Sequence, residues 1–431
     1  MSKTLLRGGR LVDPASGQDG RADVLLDDSL VADVGQGLDA GGAEVVDCDG
    51  LVVAPGLVDL HAHLREPGRE DAETIETGSR AAAVGGYTAV CAMPNTEPVA
   101  DHAAVVLEVM ARSEKVGLCD ILPAGSITRG LEGEELVEIG ELAELGIRLF
   151  TDDHRCVQSA RVMRLALEYA KAFDVVICQH AQEESLTDGW QMHEGHYSSL
   201  LGLRGAPSEA EEIVVARDLM LARLTGGRLH ITHVSASGSI EAIARARAEG
   251  LRVTADVTPH HLLLADEDLT DYDTNRKVNP PLRSVEDRSS LQTGLANAAI
   301  DAIATDHAPH PVEDKECEFD QARPGTIGFE TALPAVLELV EGTMLPLTRA
   351  LEAMSTTPAR ILGLDEHGGP VAPGRMANLV VFDPAEEWVA GDRPFASRSR
   401  NSAFLGRSMR GRVRHTIFRG GFTVRDGEST R

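Results

Sequence analysis

GLVDLHAH (56–63), YTAVCAMP (87–94), CDILPAGSI (119–127) and IRLFTDD (147–153) are short apolar runs, each closing on turn-forming or polar residues. DVVICQHA (174–181), RLHITHVS (228–235), RVTADVTP (252–259) and DAIATDHAP (301–309) repeat the texture four more times. Runs of this length, rich in β-branched residues and nearly continuous in apolar character, read as strands buried on both faces. Between them lie Ala-, Glu- and Leu-rich stretches of helical period, such as ARVMRLALEYAKAF (160–173) and SIEAIARARAEG (239–250). Eight strands alternating with helices predict an α/β protein, a (β/α)8 TIM-like barrel, with a doubly wound open sheet as the second reading.

The chain ends differ from this middle and resemble each other. LLRGGRLVDPASG (5–17), ADVLLDDSLVADVG (22–35) and AEVVDCDGLVVAPG (43–56) are short strands punctuated by Gly and Asp, and the same texture returns in PGRMANLVVFDP (373–384), RHTIFRGG (414–421) and FTVRDG (422–427). One small β-sandwich domain built from both ends is expected, residues 1–54 plus 366–431, around a hydrolase barrel over 55–365.

With 41 basic and 68 acidic residues among 431, the formal charge is −27. Such a surface repels phosphate backbones and anionic lipid, which argues against nucleic acid or a membrane surface as partner. An anionic substrate would need a local cluster of positive charge. The six cysteines (Cys48, Cys91, Cys119, Cys156, Cys178, Cys317) form no CxxC pair and several sit in apolar runs, as expected of reduced thiols in a cytoplasmic protein. MSKTLLRGGRLVDP (1–14) reaches Gly and Arg too early for a signal-peptide apolar region, and no apolar stretch approaches the roughly 20 residues of a membrane helix.

The polar residues inside the strand candidates follow a rule. His61, His63, Asp153, His180, His233 and Asp306 all lie at or near the C-terminal end of a run, which in a β/α barrel is the catalytic face. His61 and His63 are two apart, so in a strand both imidazoles share a face and reach one ion. Taken singly each is weak: HxH is common, Asp152 or Asp153 could cap a helix, and a strand-end His is usually structural. Together, four His and two Asp from five strand ends can hold one or two divalent ions, and mixed imidazole and carboxylate donors suit Zn²⁺. Such a site lowers the pKa of a bound water toward neutrality and so makes a hydroxide nucleophile. Asp306, ending the last strand, is the candidate acid/base group.

The string VDLHAHLREPG (58–68) resembles the first-strand signature of the dihydroorotases in the amidohydrolase superfamily. AMPNTEP (92–98), FTDDHRCVQ (150–158), KVNPPLR (277–283), ATDHAPH (304–310) and GRMANLVVFDP (374–384) match further family blocks in order, so the resemblance covers nearly the whole chain. It implies zinc-dependent, reversible hydrolysis of L-dihydroorotate to N-carbamoyl-L-aspartate in de novo pyrimidine (UMP) biosynthesis. His61, His63, Asp153, His180, His233 and Asp306 would be the metal-site residues. Arg65 and Asn95 would hold the substrate carboxylate with help from His310, and Asn279 would contact the pyrimidine ring. A guanidinium suits that task because it forks onto a carboxylate with two parallel hydrogen bonds. A homodimer, and association with aspartate transcarbamoylase, also follow from the resemblance.

One departure narrows the branch. Many amidohydrolases bridge two metals with a carboxylated lysine on the fourth strand, and here that strand ends in FTDD without a lysine. An aspartate stands in its place, Asp153 or the competing Asp152, which argues against a hydantoinase, dihydropyrimidinase or allantoinase. An inactive scaffold homologue for aspartate transcarbamoylase is the other alternative. Residues 307–330, rich in charge, Pro and Gly, read as a long loop at the site mouth, part of it a lid.

Overall fold

In the computed structural model, which describes residues 3–431, the chain opens with five strands. They are β1 (Lys3–Asp13), β2 (Gln18–Asp27), β3 (Leu30–Gly35), β4 (Glu44–Asp47) and β5 (Val52–Pro55). The middle of the chain carries β6 (Leu57–Ala62), β7 (Tyr87–Ala92), β8 (Asp120–Pro123), β9 (Leu149–Phe150) and β10 (Val176–Gln179), then β11 (Met192–His193), β12 (Gly205–Ala206), β13 (Arg228–Ile231), β14 (Val253–Val257) and β15 (Ala302–Ile303). The last four are β16 (Leu379–Val389), β17 (Ser408–Phe418), β18 (Gly421–Arg425) and β19 (Glu428–Ser429).

Each of the eight apolar runs contains a strand, and these pair in parallel as two sheets, β6-β7-β8 and β9-β10-β13-β14-β15. The sheets meet at both edges through single parallel bridges. Gly125 pairs with Phe150 beyond β8, and His307 pairs with Ala62 beyond β15, where the His63 amide donates to the His307 carbonyl at 2.8 Å. Gly125 has to be glycine, since a Cβ there would lie 2.8 Å from the Phe150 ring. β6, β7 and β10 are buried along their whole length. Val58, Leu60, Ala89, Cys91, Leu149, Val176, Cys178 and Ala302 form an inner core closed by Ile361 and Leu362 from the helix Thr357–Leu362.

Outside this core lie the helices. Ala160–Lys171 buries Val162, Met163, Ala166, Leu167 and Ala170, the i, i+4 stripe of an amphipathic helix, and is capped by the Ser159 side chain. Ile75–Val84 starts from a Thr74–Thr77 capping box. Among the described residues, five cysteines are buried, Cys317 is half-buried, and none is in a disulfide.

The two chain ends do come together. Hydrogen bonding joins them into one continuous nine-stranded path in the order β19-β18-β17-β16-β5-β1-β2-β3, with β4 on β1. Val24, Leu26 and Val31 from one arm share a core with Leu379, Val381 and Ile417 from the other.

Candidate metal centre

The six strand-end residues converge. Asp153, at the end of the β9 run, divides its carboxylate between two pairs of imidazoles. Oδ2 lies 3.3 Å from His61 Nε2 and 3.4 Å from His63 Nε2, and Oδ1 lies 3.5 Å from His233 Nε2 and 3.7 Å from His180 Nδ1. Asp306 adds Oδ1 to the first pair, 3.6 Å from His61 and 3.5 Å from His63. All six residues are buried. Two ligand-type triads result, His61–His63–Asp306 and His61–Asp153–His233, each with donor atoms within 4.8 Å of one another.

Outer partners fix which ring nitrogen faces the site. His63 Nδ1 bonds the Asn95 carbonyl oxygen at 3.0 Å, and His180 Nε2 bonds the Gln182 carbonyl oxygen at 3.0 Å. His61 Nδ1 bonds Thr232 Oγ1 at 2.9 Å, and that hydroxyl donates to Asp256 Oδ2 at 3.1 Å. Each of these three imidazoles thus has its outer nitrogen engaged and its other nitrogen turned toward the cluster, the arrangement metal-binding histidines adopt. His61 Nε2 is buried with no hydrogen-bond partner, and His180 Nδ1 and His233 Nε2 face each other at 3.0 Å. A cation among these atoms would satisfy both anomalies, so the donor set fits a divalent ion.

Electrostatics point the same way. Burial would raise the Asp153 and Asp306 carboxyls, but the neighbouring imidazoles outweigh it and hold both well below the usual carboxylate range. Burial opposes a charged His61, yet Asp153 and then Asp306 raise it to about 9. Burial, with His233 beside it, pushes His180 down to about 4. Three site residues also sit in left-handed backbone: Arg65 (φ 61°), His233 (φ 39°) and Asp306 (φ 46°). Such conformations cost about 1–3 kcal/mol each and persist where the surroundings over-determine them, as the 2.6 Å bond from the His233 amide to Asp256 does.

A cavity of about 220 Å³ opens onto this cluster. Arg65, Asn95, Asn279 and His310 all line it. Arg65 Nε donates to the Pro309 carbonyl at 3.1 Å, but no carboxylate lies within ion-pair distance of its guanidinium among the described residues. Glu66 instead pairs with Arg112, and Glu70 accepts from the Gly68 amide. The Asn95 amide is engaged at both ends, by His63 and by His154 Nδ1 at 3.1 Å. The buried Asn279 carbonyl oxygen has no partner. His310 donates from Nε2 to the Pro324 carbonyl at 2.9 Å and turns Nδ1 toward Asp314 Oδ2 at 3.4 Å, while burial, with Arg65 and Lys315 nearby, pushes its pKa down to about 3. Asp152 faces away from the cluster, accepting from the Ile127 and Thr128 amides at 2.8 and 2.9 Å and from the Thr128 hydroxyl.

Sequence reasoning missed His154, Thr232, Asp256, Gln182 and the rim arginine Arg323. Thr232 and Asp256 lie within RLHITHVS and RVTADVTP, so the strand-end rule could have found them. His154 and Arg323 lie in loops, where charged residues carry no signal. His307, next to Asp306, is turned away from the cavity, its Nε2 3.3 Å from Glu73 and its ring stacked on Phe329 at 4.1 Å.

The family described as "Dihydro-orotase-like" matches residues 50–239. The chain is 51% identical over its full length to the dihydroorotase of Streptomyces coelicolor, and 51% identical to that of Leifsonia xyli over 94% of both chains. Among solved structures, the L-hydantoinase (dihydropyrimidinase) from Arthrobacter aurescens superposes with a TM-score of 0.89 at 27% identity, covering 100% of this chain and 98% of that one. The dihydropyrimidinase from Brevibacillus agri superposes with a TM-score of 0.83 at 23% identity, covering 99% and 96%. Full-length identity at this level, on a chain whose buried His/Asp cluster is complete, places it in the dihydroorotase family.

Proposed function

We propose that this chain is a dihydroorotase, a metal-dependent hydrolase that reversibly opens the cyclic amide of L-dihydroorotate to N-carbamoyl-L-aspartate in pyrimidine biosynthesis. The observation that carries the reading is the unpaired Arg65 guanidinium beside a six-residue His/Asp cluster, in a protein whose net charge is −27. A bound divalent ion, Zn²⁺ by its donor set, supplies Lewis-acid activation of water and of the ring carbonyl. His61, His63, Asp153, His180, His233 and Asp306 would hold it. Asp153, with one oxygen toward each histidine pair, is suited to bridge two ions, whereas Asp152 is spent on backbone amides.

Arg65 grips the substrate carboxylate with a two-pronged contact, His310 assists from the loop after the last strand, and Asn279 offers its free oxygen to a ring N–H. Asn95 orients His63 and borders the carboxylate subsite. Asp306 takes the proton of the attacking water and delivers it to the departing ring nitrogen, as the amide C–N bond on the carboxylate-bearing arm breaks. The bridges at Gly125 and His307 support closure of the eight strands into a barrel over 55–365, with 1–54 plus 366–431 as the β-sandwich domain. Part of 307–330 would order over bound substrate, and equal protease sensitivity with and without product would count against that lid. A cytoplasmic homodimer, associating with aspartate transcarbamoylase, completes the proposal.

The structural likeness to hydantoinases favours a related cyclic-amide hydrolase as second reading. Against it, no lysine lines the cavity among the described residues. Elemental analysis of the purified protein, combined with side-by-side assays on dihydroorotate (both directions) and dihydrouracil, tests all of this. Faster turnover of dihydrouracil would move the chain to the dihydropyrimidinases. Metal-free protein that stays inactive with added zinc would make it a scaffold.

A further inference from the structure

The segment 397–403, arriving from the C-terminal return, runs beneath the active-site loop. Ser397 Oγ and the Arg398 amide bond the Glu73 carboxylate that also faces His307. Four residues on, Asn401 is 4% exposed and has every side-chain group engaged. Its Oδ1 accepts from the His310 amide at 3.1 Å, and its Nδ2 donates to the Ala308 carbonyl at 3.0 Å and the Gly325 carbonyl at 3.1 Å. Its own carbonyl accepts from the Ile327 amide and the Thr326 hydroxyl, both at 3.0 Å.

These contacts reach both limbs of the loop base. Ala308 and His310 belong to the outgoing limb and Gly325 to the returning one, and all three line the catalytic cavity. The limbs have no slack, because a Cβ on Gly325 would lie 2.8 Å from His310 Nε2 and 2.9 Å from Ala308 Cβ. A second tie is independent of Asn401: the buried Lys315 Nζ donates to the Arg323 and Gly325 carbonyls at 2.8 and 3.0 Å. Loss of the Asn401 amide would therefore leave the limbs joined through Lys315, the Ala308–Thr326 backbone bond and the His310–Pro324 contact, while removing the one anchor on the His310 amide and loosening how the ring is held.

We propose that Asn401 is a positioning residue for substrate recognition. By clamping the two limbs of the 308–325 loop it sets where His310 stands against the carboxylate subsite, 91 residues away in the chain. The inference rests on the reading of the cavity as a dihydroorotate site.

The test uses full-length, metal-loaded N401D and N401S. The first keeps the size and the acceptor but sets an anionic oxygen against two carbonyls; the second shortens the side chain and covers the case in which N401D fails to fold. Expected is a KM for dihydroorotate raised about tenfold or more with kcat within about threefold, because a misplacement of ångström size weakens binding steeply. Metal content stays unchanged. Glu-specific protease should cut at Glu313, Glu316 or Glu318 about fivefold faster than in the wild type, as local opening of the loop becomes easier. A merely structural Asn401 would lower the melting temperature and kcat together and leave KM alone. KM within twofold of wild type in a folded variant overturns the proposal. If the wild type itself does not turn over dihydroorotate, the substrate reading fails, and the cleavage comparison alone decides the clamp: unchanged cleavage overturns it.

Discussion

Replacing Arg65 by Met separates binding from folding. An exposed guanidinium keeps its proton at any ordinary pH, but burial first, and then Arg69, lower the pKa of Arg65 to about 10. A proton affinity more than a hundredfold weaker corresponds to ~3 kcal/mol of unfavourable charge burial, at 1.36 kcal/mol per tenfold. The side chain is partly open to the cavity, so screening by water there trims the figure to about 1–2 kcal/mol. The sign follows from its being a base with a depressed folded-state pKa. The penalty is present in full below about pH 10 and fades only as the pH rises toward the ordinary value. Met removes that penalty at pH 7–8 but also removes the donor to the Pro309 carbonyl, worth about 1 kcal/mol. Stability to urea should thus change by less than about 1 kcal/mol in either direction. Substrate binding has no such compensation. Loss of a buried, charge-assisted fork to a carboxylate costs about 2–4 kcal/mol, a KM increase of roughly 30- to 1,000-fold. Arg65→Lys keeps the charge without the fork and should fall between. Turnover of dihydrouracil, which lacks the carboxylate, should be insensitive to either change. Urea melts and steady-state kinetics on both substrates measure this. A variant destabilised by more than about 2 kcal/mol, with KM for dihydroorotate moved less than threefold, would refute the assignment of Arg65 to the substrate.

Asp306→Asn should cut turnover by about 10²–10⁴ or more while retaining some metal, read by elemental analysis beside the assay; near-normal activity removes Asp306 as the acid/base group. Thr232→Val deletes the hydroxyl between His61 Nδ1 and Asp256 and should weaken metal retention against a chelator about 10- to 100-fold, with little change in melting temperature of the metal-free protein. Gly85→Ala should destabilise the chain by about 2 kcal/mol or more. A Cβ there collides with the Phe329 carbonyl, a backbone atom that cannot swing away, and thermal unfolding at unchanged stability would contradict that packing.

The candidate ligands stood out in the sequence because parallel strands buried on both faces are almost wholly apolar, so a His or Asp closing such a run is conspicuous. The fold brings all six side chains together, five of them in the two triads and His180 alongside, 3.7 Å from Asp153 and 3.0 Å from His233. The choice between Asp152 and Asp153 was not legible. Both end the same strand run, and only the amides of Ile127 and Thr128, supplied by a neighbouring connection, reveal which side Asp152 serves. Thr232 and Asp256 escaped notice because their importance lies in a bond between adjacent strands. Asn401 sits in RSRNSAF, where nothing in the residue types distinguishes a clamp from an ordinary turn. The terminal strands were legible from their Gly and Asp punctuation, whereas their union in one sheet depends on β5 pairing with both β1 and β16.

That last pairing has a consequence for biosynthesis. β5 leads directly into β6 and His61, yet one of its edges stays open until β16 has been made, more than three hundred residues later in the chain. Asn401 and the Glu73 contacts of Ser397 come later still. A ribosome-bound chain could assemble the strands that carry all six candidate ligands while β5 and the site's floor waited for their partners. Vectorial synthesis thus postpones the finished site to the final stretch of translation. Premature termination before Ser397 would leave the strands of the His/Asp cluster without their brace, and with an unpaired strand edge exposed to self-association.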